Sequence, residues 1–495
     1  MANPIVYELN LRCRLAEWGR RSGRVLTLSE IPPAELRRWQ DLGVTHVWLM
    51  GLWPTGPLSR AAALQPAAWT EYRRALPDCR EADVPGSPYA IADYRVPESI
   101  GGEAGLAALR DTLNQHGIRL ILDFVPNHLG LDHPWLKSHP DRFVQATENQ
   151  PGTVPIETSA GLRHVAHGRD PHFSPWTDTV QLDYRQAETR GAMGRLLERL
   201  AAMCDGVRCD MAMLVLRDVF EKTWREFPRA AGAEASGEFW EEAIAAVKSR
   251  RPDFLFIAEA YWGLEPRLQS LGFDFTYDKV FYDGLVRRDA AGVQRHVMGQ
   301  PAAVLSCGLR FLENHDEPRI AALLSPAEQR AAAVALLALP GMRLLHDGQL
   351  SGARTRVPVQ LSRGPVEIRR PEVELMYERL LSVVRDPVVA GGQGRVLVPA
   401  EAWPGNPSRE NFVVVVWQSE PRQFGLAAVN LAGYRSQCRV SLPVPGLDRG
   451  NWQLRDLLGS EEHRRDGAAL ASEGLFLDLP AHAAQWFHGQ PVGRP

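Results

Sequence analysis

The sequence predicts an α/β protein in which eight parallel strands close into a barrel, followed by a smaller antiparallel β domain. Two observations support this prediction. Short apolar runs alternate with stretches of helical periodicity up to about residue 389, and the runs lack the polar alternation of half-exposed strands. From about residue 390, strand-like runs follow one another, separated by Gly, Pro and Asp.

Eight strand–helix units are predicted in the first region. Apolar strands in such units indicate a parallel sheet, and eight of them indicate a closed barrel. The strands are predicted at 5–9, 45–50, 118–124, 205–210, 254–259, 272–275, 308–313 and 342–346. Helical patterns are predicted at 33–42, 103–116, 186–203, 238–248, 278–297, 326–337 and 371–384.

Residues 129–184 interrupt this alternation. They are rich in His, Pro, Asp and Gly and show no clear periodicity, which indicates an irregular excursion between elements. Beyond residue 390, hairpin spacing and the lack of helical periodicity indicate antiparallel β structure. We therefore expect a catalytic barrel from 1–128 and 185–389, an inserted domain at 129–184 and a β domain at 390–495.

Charge and composition exclude several classes of protein. Lys and Arg number 56 against 59 Asp and Glu, a net charge of -3, which lacks the basic surface of a nucleic-acid binder. No apolar run reaches the roughly 18 residues of a membrane span. The first residues lack the pattern of a secretory signal, and the six cysteines contain no CxxC pair. We expect a cytoplasmic protein without zinc or thiol-redox sites.

Four carboxylates stand at or just beyond the ends of the third, fourth, fifth and seventh predicted barrel strands. They are Asp123 in DFVPNH, Asp210 in GVRCD, Glu259 in FIAEAYW and Asp316 in FLENHDEPR. One such carboxylate alone is more often a loop residue or a helix cap. Four together indicate a site at the carboxyl-terminal rim, where barrel enzymes have their active sites.

These four motifs, in this order, resemble those of the α-amylase family of retaining α-glycosidases. VYELN at the N-terminus, the run at 42–56 and SPYAIADY at 87–94 are similar to that family's first two strands and the loop before its first motif. The resemblance covers about residues 5–350. It implies a TIM barrel with a small domain B after strand three, here 129–184, and a C-terminal antiparallel β-sandwich.

The resemblance implies roles for three carboxylates. Asp210 is similar to the nucleophile, Glu259 to the general acid/base and Asp316 to the carboxylate that stabilises the transition state. Cleavage with retention needs one carboxylate to attack the anomeric carbon and one acid to protonate the leaving oxygen. Because Glu259 would act first as an acid and then as a base, we expect its pKa to exceed that of an ordinary Glu.

Five further residues match sugar-binding positions of the family. Arg208 lies two residues before the predicted nucleophile, on the same strand face, and matches an arginine that positions it. His128 and His315 match histidines that bind the sugar before the scissile bond, and Tyr89 matches the aromatic platform under that sugar. Arg319 resembles an arginine near the non-reducing end. Outside these motifs, such side chains would more often be structural.

The sequence departs from the family at several positions. Met213 and Leu214 stand where many members have Lys and His on the acceptor side. Gly86 replaces an Asp that exo-acting relatives carry, so endo and exo action both stay open. Asn127 is a candidate calcium ligand without a carboxylate partner, and the sequence therefore favours a chain without a cofactor or a structural metal.

We interpret the sequence as a retaining α-glycosidase that hydrolyses α-glucosidic bonds in oligo- or polysaccharides through a covalent intermediate on Asp210. A transglycosidase with the same residues stays open, because the stretch at 132–143 is similar to one in trehalose- and maltosyl-transferring members. A non-catalytic binding module is a further alternative, against which the complete carboxylate set argues. The expected partner is an α-linked glucosyl saccharide, with neither nucleic acid nor membrane.

Overall fold

A closed barrel forms the first part of the computed structural model, which describes residues 3–158, 161–229, 236–420 and 422–493. Eight parallel strands of these residues pair in chain order, and the first strand also pairs with the eighth. The barrel strands are Ile5–Asn10, His46–Met50, Arg119–Phe124, Gly206–Cys209, Leu255–Ala258, Phe275–Tyr277, Gly308–Arg310 and Met342–His346. The predicted eight-stranded barrel is confirmed.

Both faces of the barrel strands are buried. Val6 and Ile121 belong to an apolar cluster inside the barrel, whereas their chain neighbours Tyr7 and Leu120 pack into the larger cluster shared with the helices. Successive side chains of a strand point to opposite faces. Burial on both faces therefore explains why the strand sequences are apolar throughout.

Helices surround the barrel, and several begin at a proline. Pro33, Pro326 and Pro371 each occupy the start of a helix, where the missing N–H costs no hydrogen bond. The helices are Leu11–Ser22, Pro33–Asp41, Pro57–Ala63, Trp69–Ala75, Gly102–Gln115, Trp135–Ser138, Ala187–Met203, Arg217–Trp224, Phe239–Arg250, Glu265–Ser270, Lys279–Val286, Ala290–Gly299, Ala302–Ser306, Ile320–Leu323, Pro326–Ala338, Pro371–Val384 and Pro387–Ala390.

Two predicted elements differ from the structure. The helix predicted at 278–297 is two helices, because Arg288 adopts a positive φ of 60° and Asp289 accepts a hydrogen bond from the backbone N–H of Gly292 to start the second one. The sixth barrel strand lies at Phe275–Tyr277, not at 272–275. Before it, Asp274 Oδ2 accepts a hydrogen bond from the backbone N–H of Phe256, so this residue anchors a turn.

The sequence predicted that residues 129–184 are irregular. This prediction is wrong, because the segment contains paired strands. His128–Gly130 pairs with Thr179–Gln181, and a second antiparallel sheet contains Gln145–Ala146, Thr153–Thr158 and Gly161–Ala166. These strands have two to six residues, and Thr153–Thr158 is intermediate or exposed throughout. Strands this short, of which some face solvent and others are buried, show no regular apolar periodicity.

Two antiparallel sheets form the C-terminal region, as predicted. One contains Gln393–Leu397, Phe412–Gln418, Phe424–Asn430, Asn451–Asp456, Glu462–Asp466 and Ala484–Pro491; the other contains Ala400–Glu401, Ser436–Val440 and Leu475–Leu479. Side chains of both sheets share one apolar core. The helix Gly467–Glu473 contradicts the expectation of no helix there; Asp466 caps it. Within the described residues, no helix has the length and apolar character needed to cross a membrane.

Candidate active site

Arg208 joins two of the predicted catalytic carboxylates. Its side chain is 1% exposed, and Nη1 donates a hydrogen bond of 2.7 Å to Oδ1 of Asp210. Nη2 lies 2.8 Å from Oε2 of Glu259. Three aromatic rings face the guanidinium group, those of Trp48, Tyr89 and Tyr277. One buried cation therefore holds the two carboxylates side by side.

Adjacent barrel strands bring these carboxylates to the same level. Asp210 follows the strand Gly206–Cys209, and Glu259 follows Leu255–Ala258, with Cys209 opposite Ala258 in the register. The backbone N–H of Glu259 donates to the carbonyl of Cys209 at 3.0 Å. The two residues thus leave the sheet at one point of its carboxyl-terminal rim, as the sequence predicted.

Both oxygens of Glu259 have hydrogen-bond donors. The backbone N–H of Met211 donates to Oε2 at 2.7 Å, and the hydroxyl of Tyr261 donates to Oε1 at 2.7 Å. Met211 has a positive φ of 42°, which is uncommon for a residue with a side chain and turns its N–H towards Glu259. Neither contact was recognised in the sequence.

The buried position of Glu259 changes its acidity. Burial raises its pKa to about 7; Arg208 opposes the shift, and the nearby Asp210 and Asp316 add to it. This elevation agrees with the expectation from the sequence for an acid/base. Burial also raises the pKa of Asp210, and the guanidinium of Arg208 acts against this by favouring the ionised form.

His315 bridges two carboxylates. Its Nδ1 lies 2.5 Å from Oε1 of Glu8, and its Nε2 lies 3.0 Å from Oδ2 of Asp316 and 2.8 Å from the hydroxyl of Tyr89. Burial favours the neutral imidazole, but the charges of Asp316 and Glu8 outweigh it and raise the pKa of His315 well above its usual value. His315 is therefore an imidazolium. Glu8, on the first barrel strand, was not recognised in the sequence.

Asp316 is the most accessible of the three predicted catalytic carboxylates, with 49% of its side chain exposed. Displacement of water by the surrounding protein opposes its ionisation. Attraction to His315 and the hydrogen bond with it outweigh this effect and lower the pKa of Asp316 to about 2. Asp316 is thus an anion at neutral pH, next to the Asp210–Glu259 pair.

Tyr89 and His128 lie in the same part of the barrel. The ring of Tyr89 stacks on His315 with centroids 5.3 Å apart. His128 is buried, and burial lowers its pKa to about 4, so it is neutral at neutral pH. Its ring lies 5.0 Å from that of Trp176, which comes from the inserted segment. A neutral imidazole can donate and accept hydrogen bonds, as a sugar hydroxyl requires.

Among the described residues, no hydrogen bond or ion pair connects Arg319 to the Arg208 cluster. Nη1 donates to Oε1 of Glu313 at 2.7 Å and to the carbonyl of Asp347 at 2.7 Å, and the side chain is buried. Glu313 is fully buried and accepts a second bond from the backbone N–H of Ile320. These contacts give Arg319 a structural ion pair, and its role in sugar binding stays a prediction.

Asp123 contributes to the cluster from the third barrel strand. It lies 3.7 Å from Nη1 of Arg208, and burial raises its pKa to about 7 despite the attraction of Arg208 and His315. The carbonyl of Asp123 accepts a hydrogen bond from Trp53. Asp123 thus adds a fourth carboxyl group to Asp210, Glu259 and Asp316, and burial outweighs the attraction of the two cations in setting its pKa.

The donor set around Asn127 does not fit a calcium ion. Its Oδ1 and its carbonyl both accept hydrogen bonds from Nε2 of Gln181, at 3.0 and 2.8 Å. An amide N–H thus occupies the oxygens that a cation would need. Within the described chain, no group of three or more His, Cys, Asp or Glu side chains forms a metal-binding arrangement.

The comparisons with known proteins point to one family. Residues 35–159 match the model of the α-amylase catalytic domain. The α-amylase MalA of Haloarcula japonica is 26% identical over 279 residues, covering 54% of this chain and 37% of that protein. The α-1,4-glucan:maltose-1-phosphate maltosyltransferase of Pseudomonas aeruginosa is 26% identical over 204 residues, covering 40% of this chain and 26% of that protein.

The fold of a solved structure agrees with these matches. A maltogenic α-amylase, AmyB from Thermotoga neapolitana, superimposes with a TM-score of 0.68 at 18% identity, over 99% of both chains. The chain spans 37% and 26% of the lengths of the two relatives above. The family model and these relatives make the chain similar to the α-amylase family, and the solved structure supports the same fold.

Proposed function

We propose that the protein is a retaining α-glycosidase that cleaves α-glucosidic bonds of oligo- or polysaccharides by double displacement. The observation that carries this proposal is the contact of one guanidinium group, that of Arg208, with both Asp210 and Glu259. A retaining enzyme needs two carboxyl groups close together on either side of the anomeric carbon. Their different environments suit two different roles.

In the first step, Asp210 Oδ attacks the anomeric carbon while Glu259 gives its proton to the leaving glycosidic oxygen. The bond from C1 to that oxygen breaks, a bond from C1 to Asp210 forms, and the leaving sugar departs as an alcohol. The raised pKa of Glu259, about 7, keeps a proton available near neutral pH. Arg208 holds Asp210 as the anion that attack requires.

In the second step, the ionised Glu259 removes a proton from water, and the oxygen of that water attacks C1. The bond to Asp210 breaks and the free sugar leaves with its original anomeric configuration. Asp316, an anion close to the pair, stabilises the positive charge that develops on the sugar ring in both transition states. His128, His315 and Tyr89 bind the hydroxyls and face of that ring.

A transglycosidase is the second candidate. It rests on the similarity to maltosyltransferases and on one exposed aromatic ring, that of Trp262, close in sequence to Glu259. Trp262 is 44% exposed and His172, from the inserted segment, meets its ring edge-on at 4.9 Å. An apolar ring at this position can stack on an acceptor sugar, whose hydroxyl would then replace water in the second step.

A panel of substrates tests the proposed hydrolysis. Maltooligosaccharides, trehalose, sucrose and isomaltose are incubated with the protein, and products are followed over time. We expect cleavage of at least one α-glucoside, and a loss of turnover of about three orders of magnitude or more in Asp210→Ala and Glu259→Gln. Glu241→Gln, on an exposed helix face, is the matched control and keeps full activity.

The products separate the two candidates. Free reducing sugar in proportion to bonds cleaved identifies hydrolysis, and new, longer saccharides at constant reducing sugar identify transfer. Near-normal turnover in either carboxylate variant, with circular dichroism matching the wild type, would contradict the roles of Asp210 and Glu259 in both reactions.

A further inference from the structure

A cleft separate from the Arg208 cluster lies on the side of the barrel. Its volume is about 490 Å³, within the range of small-molecule sites. The helix Ala187–Met203 forms one wall, and residues 93–95, residues 133–135 and Arg142 form the others. Among the described residues, no hydrogen bond or ion pair joins these lining residues to the carboxylate cluster, so the proposed glycosidase mechanism does not use this cleft.

Arginines dominate the lining. Arg95, Arg142, Arg195 and Arg199 border the cleft, and Asp93 is the one acid among the described lining residues. Within the part of the chain that the structure describes, neither Arg195 nor Arg199 forms an ion pair. Since the whole chain carries a net charge of -3, this excess of positive charge is a local feature.

His133 adds a buried polar group to the cleft. It is 6% exposed, and its Nδ1 accepts a hydrogen bond of 3.2 Å from the backbone N–H of Trp135. Burial, followed by repulsion from Arg142 and Arg199, lowers the pKa of His133 to about 4. The ring is therefore neutral, and its proton is on Nε2, which has no hydrogen-bond partner among the described residues. His133 thus brings an unused N–H donor to the arginines.

Trp135 provides an apolar wall next to these donors. The guanidinium of Arg142 lies over its ring at 4.5 Å, and His133 meets the ring edge-on at 5.0 Å. Nη2 of Arg142 also donates a hydrogen bond of 2.9 Å to Oε1 of Glu188, whose side chain is 61% exposed. Leu196 and Pro134 extend the apolar part of the lining.

We propose that this cleft binds a phosphoryl group carried by a small molecule. Guanidinium groups match the oxygens of a phosphate with paired N–H donors, and several of them can neutralise its two charges. The N–H of His133 adds one more hydrogen-bond donor for an oxygen of the phosphate. The apolar wall at Trp135 accommodates the unphosphorylated part of the ligand, such as a sugar ring.

Calorimetric titration at constant ionic strength tests the proposal with inorganic phosphate, glucose 6-phosphate and glucose. We expect saturable binding of at least one phosphate compound, no binding of glucose at the cleft, and a weakening of about tenfold or more in the double variant Arg195→Ala/Arg199→Ala. Arg330→Ala, an exposed arginine on the helix Pro326–Ala338, is the control and leaves the affinity unchanged.

The two phosphate compounds distinguish the source of the phosphoryl group. Equal affinities identify free phosphate as the ligand, and tighter binding of glucose 6-phosphate identifies a phosphorylated sugar; both support the site. Weaker binding in Arg195→Ala/Arg199→Ala, with unchanged binding in Arg330→Ala, places the phosphate compounds in the cleft and not at the carboxylate cluster. The proposal is overturned if neither phosphate compound saturates, or if the double variant binds as tightly as Arg330→Ala.

Discussion

Oε1 of Glu8 lies 2.5 Å from Nδ1 of His315, and both side chains are almost fully buried inside the mouth of the barrel. The pair links the first barrel strand to the loop after the seventh, 307 positions apart. Among the described residues, His315 is the cation that contacts Glu8, and the charge of Glu8 stabilises His315 as an imidazolium. His315 in turn keeps Asp316 ionised next to the predicted nucleophile.

Replacement of Glu8 by Gln should weaken catalysis without removing a group that touches the substrate. The amide keeps the size of the side chain but not its charge, so the pKa of His315 falls and that of Asp316 rises. We expect kcat/KM to fall about 10- to 100-fold, and its acidic limb to move to higher pH. Steady-state kinetics across pH checks both effects, and the control Glu241→Gln should match the wild type.

The pH dependence of kcat/KM should have an alkaline limb near pH 7. The first step needs protonated Glu259, whose pKa is about 7, so activity is present below that pH and is lost as the pH rises through it. The measurement is a profile of initial rates from about pH 4 to about pH 10. A rate that stays constant up to about pH 9 would contradict the assignment of Glu259 as the acid.

Tyr261→Phe should move this alkaline limb upwards. The hydroxyl of Tyr261 donates to Oε1 of Glu259 and stabilises its ionised form, so removing it raises the pKa of Glu259. We expect a shift of up to about one pH unit and a lower kcat, because Glu259 also loses a positioning contact. Tyr434→Phe, at an exposed tyrosine of the C-terminal region, should leave the limb unchanged.

Removal of divalent cations should leave the protein unaffected. Gln181 already donates to the oxygens of Asn127, so a calcium ion would have to displace these hydrogen bonds. Dialysis against EDTA should change neither the Tm nor the activity. A drop in Tm that added calcium reverses would show that the chain holds a structural cation after all.

The sequence predicted the barrel because its strands are apolar on both faces, a pattern that local reading detects. It did not predict the helix Leu11–Ser22, in which only Leu11 and Trp18 are buried and arginines occupy much of the rest. The strands within 129–184 were missed for a related reason. They have two to six residues, and Thr153–Thr158 is partly exposed to solvent, so their sequences carry no clear apolar periodicity.

Some residues of the site were likewise predicted from the sequence, and others were not. Asp210, Glu259 and Arg208 lie in motifs that follow barrel strands, and the structure brings these three residues into contact. Glu8 sits in an apolar strand more than 300 positions before its partner His315, so only the closed barrel reveals the pair. The contact of Tyr261 with Glu259 depends on the loop conformation after the fifth strand, which spacing alone does not give.

In the proposed mechanism, Asp210 forms a covalent bond with the sugar. A 5-fluoro-α-glucosyl fluoride slows the second step, so the intermediate should accumulate and survive proteolysis for mass spectrometry. We predict a glycosyl adduct on the peptide that contains Asp210, and none in Asp210→Ala. An adduct on another residue, or turnover of the compound to a first-formed β-sugar without any adduct, would contradict the account.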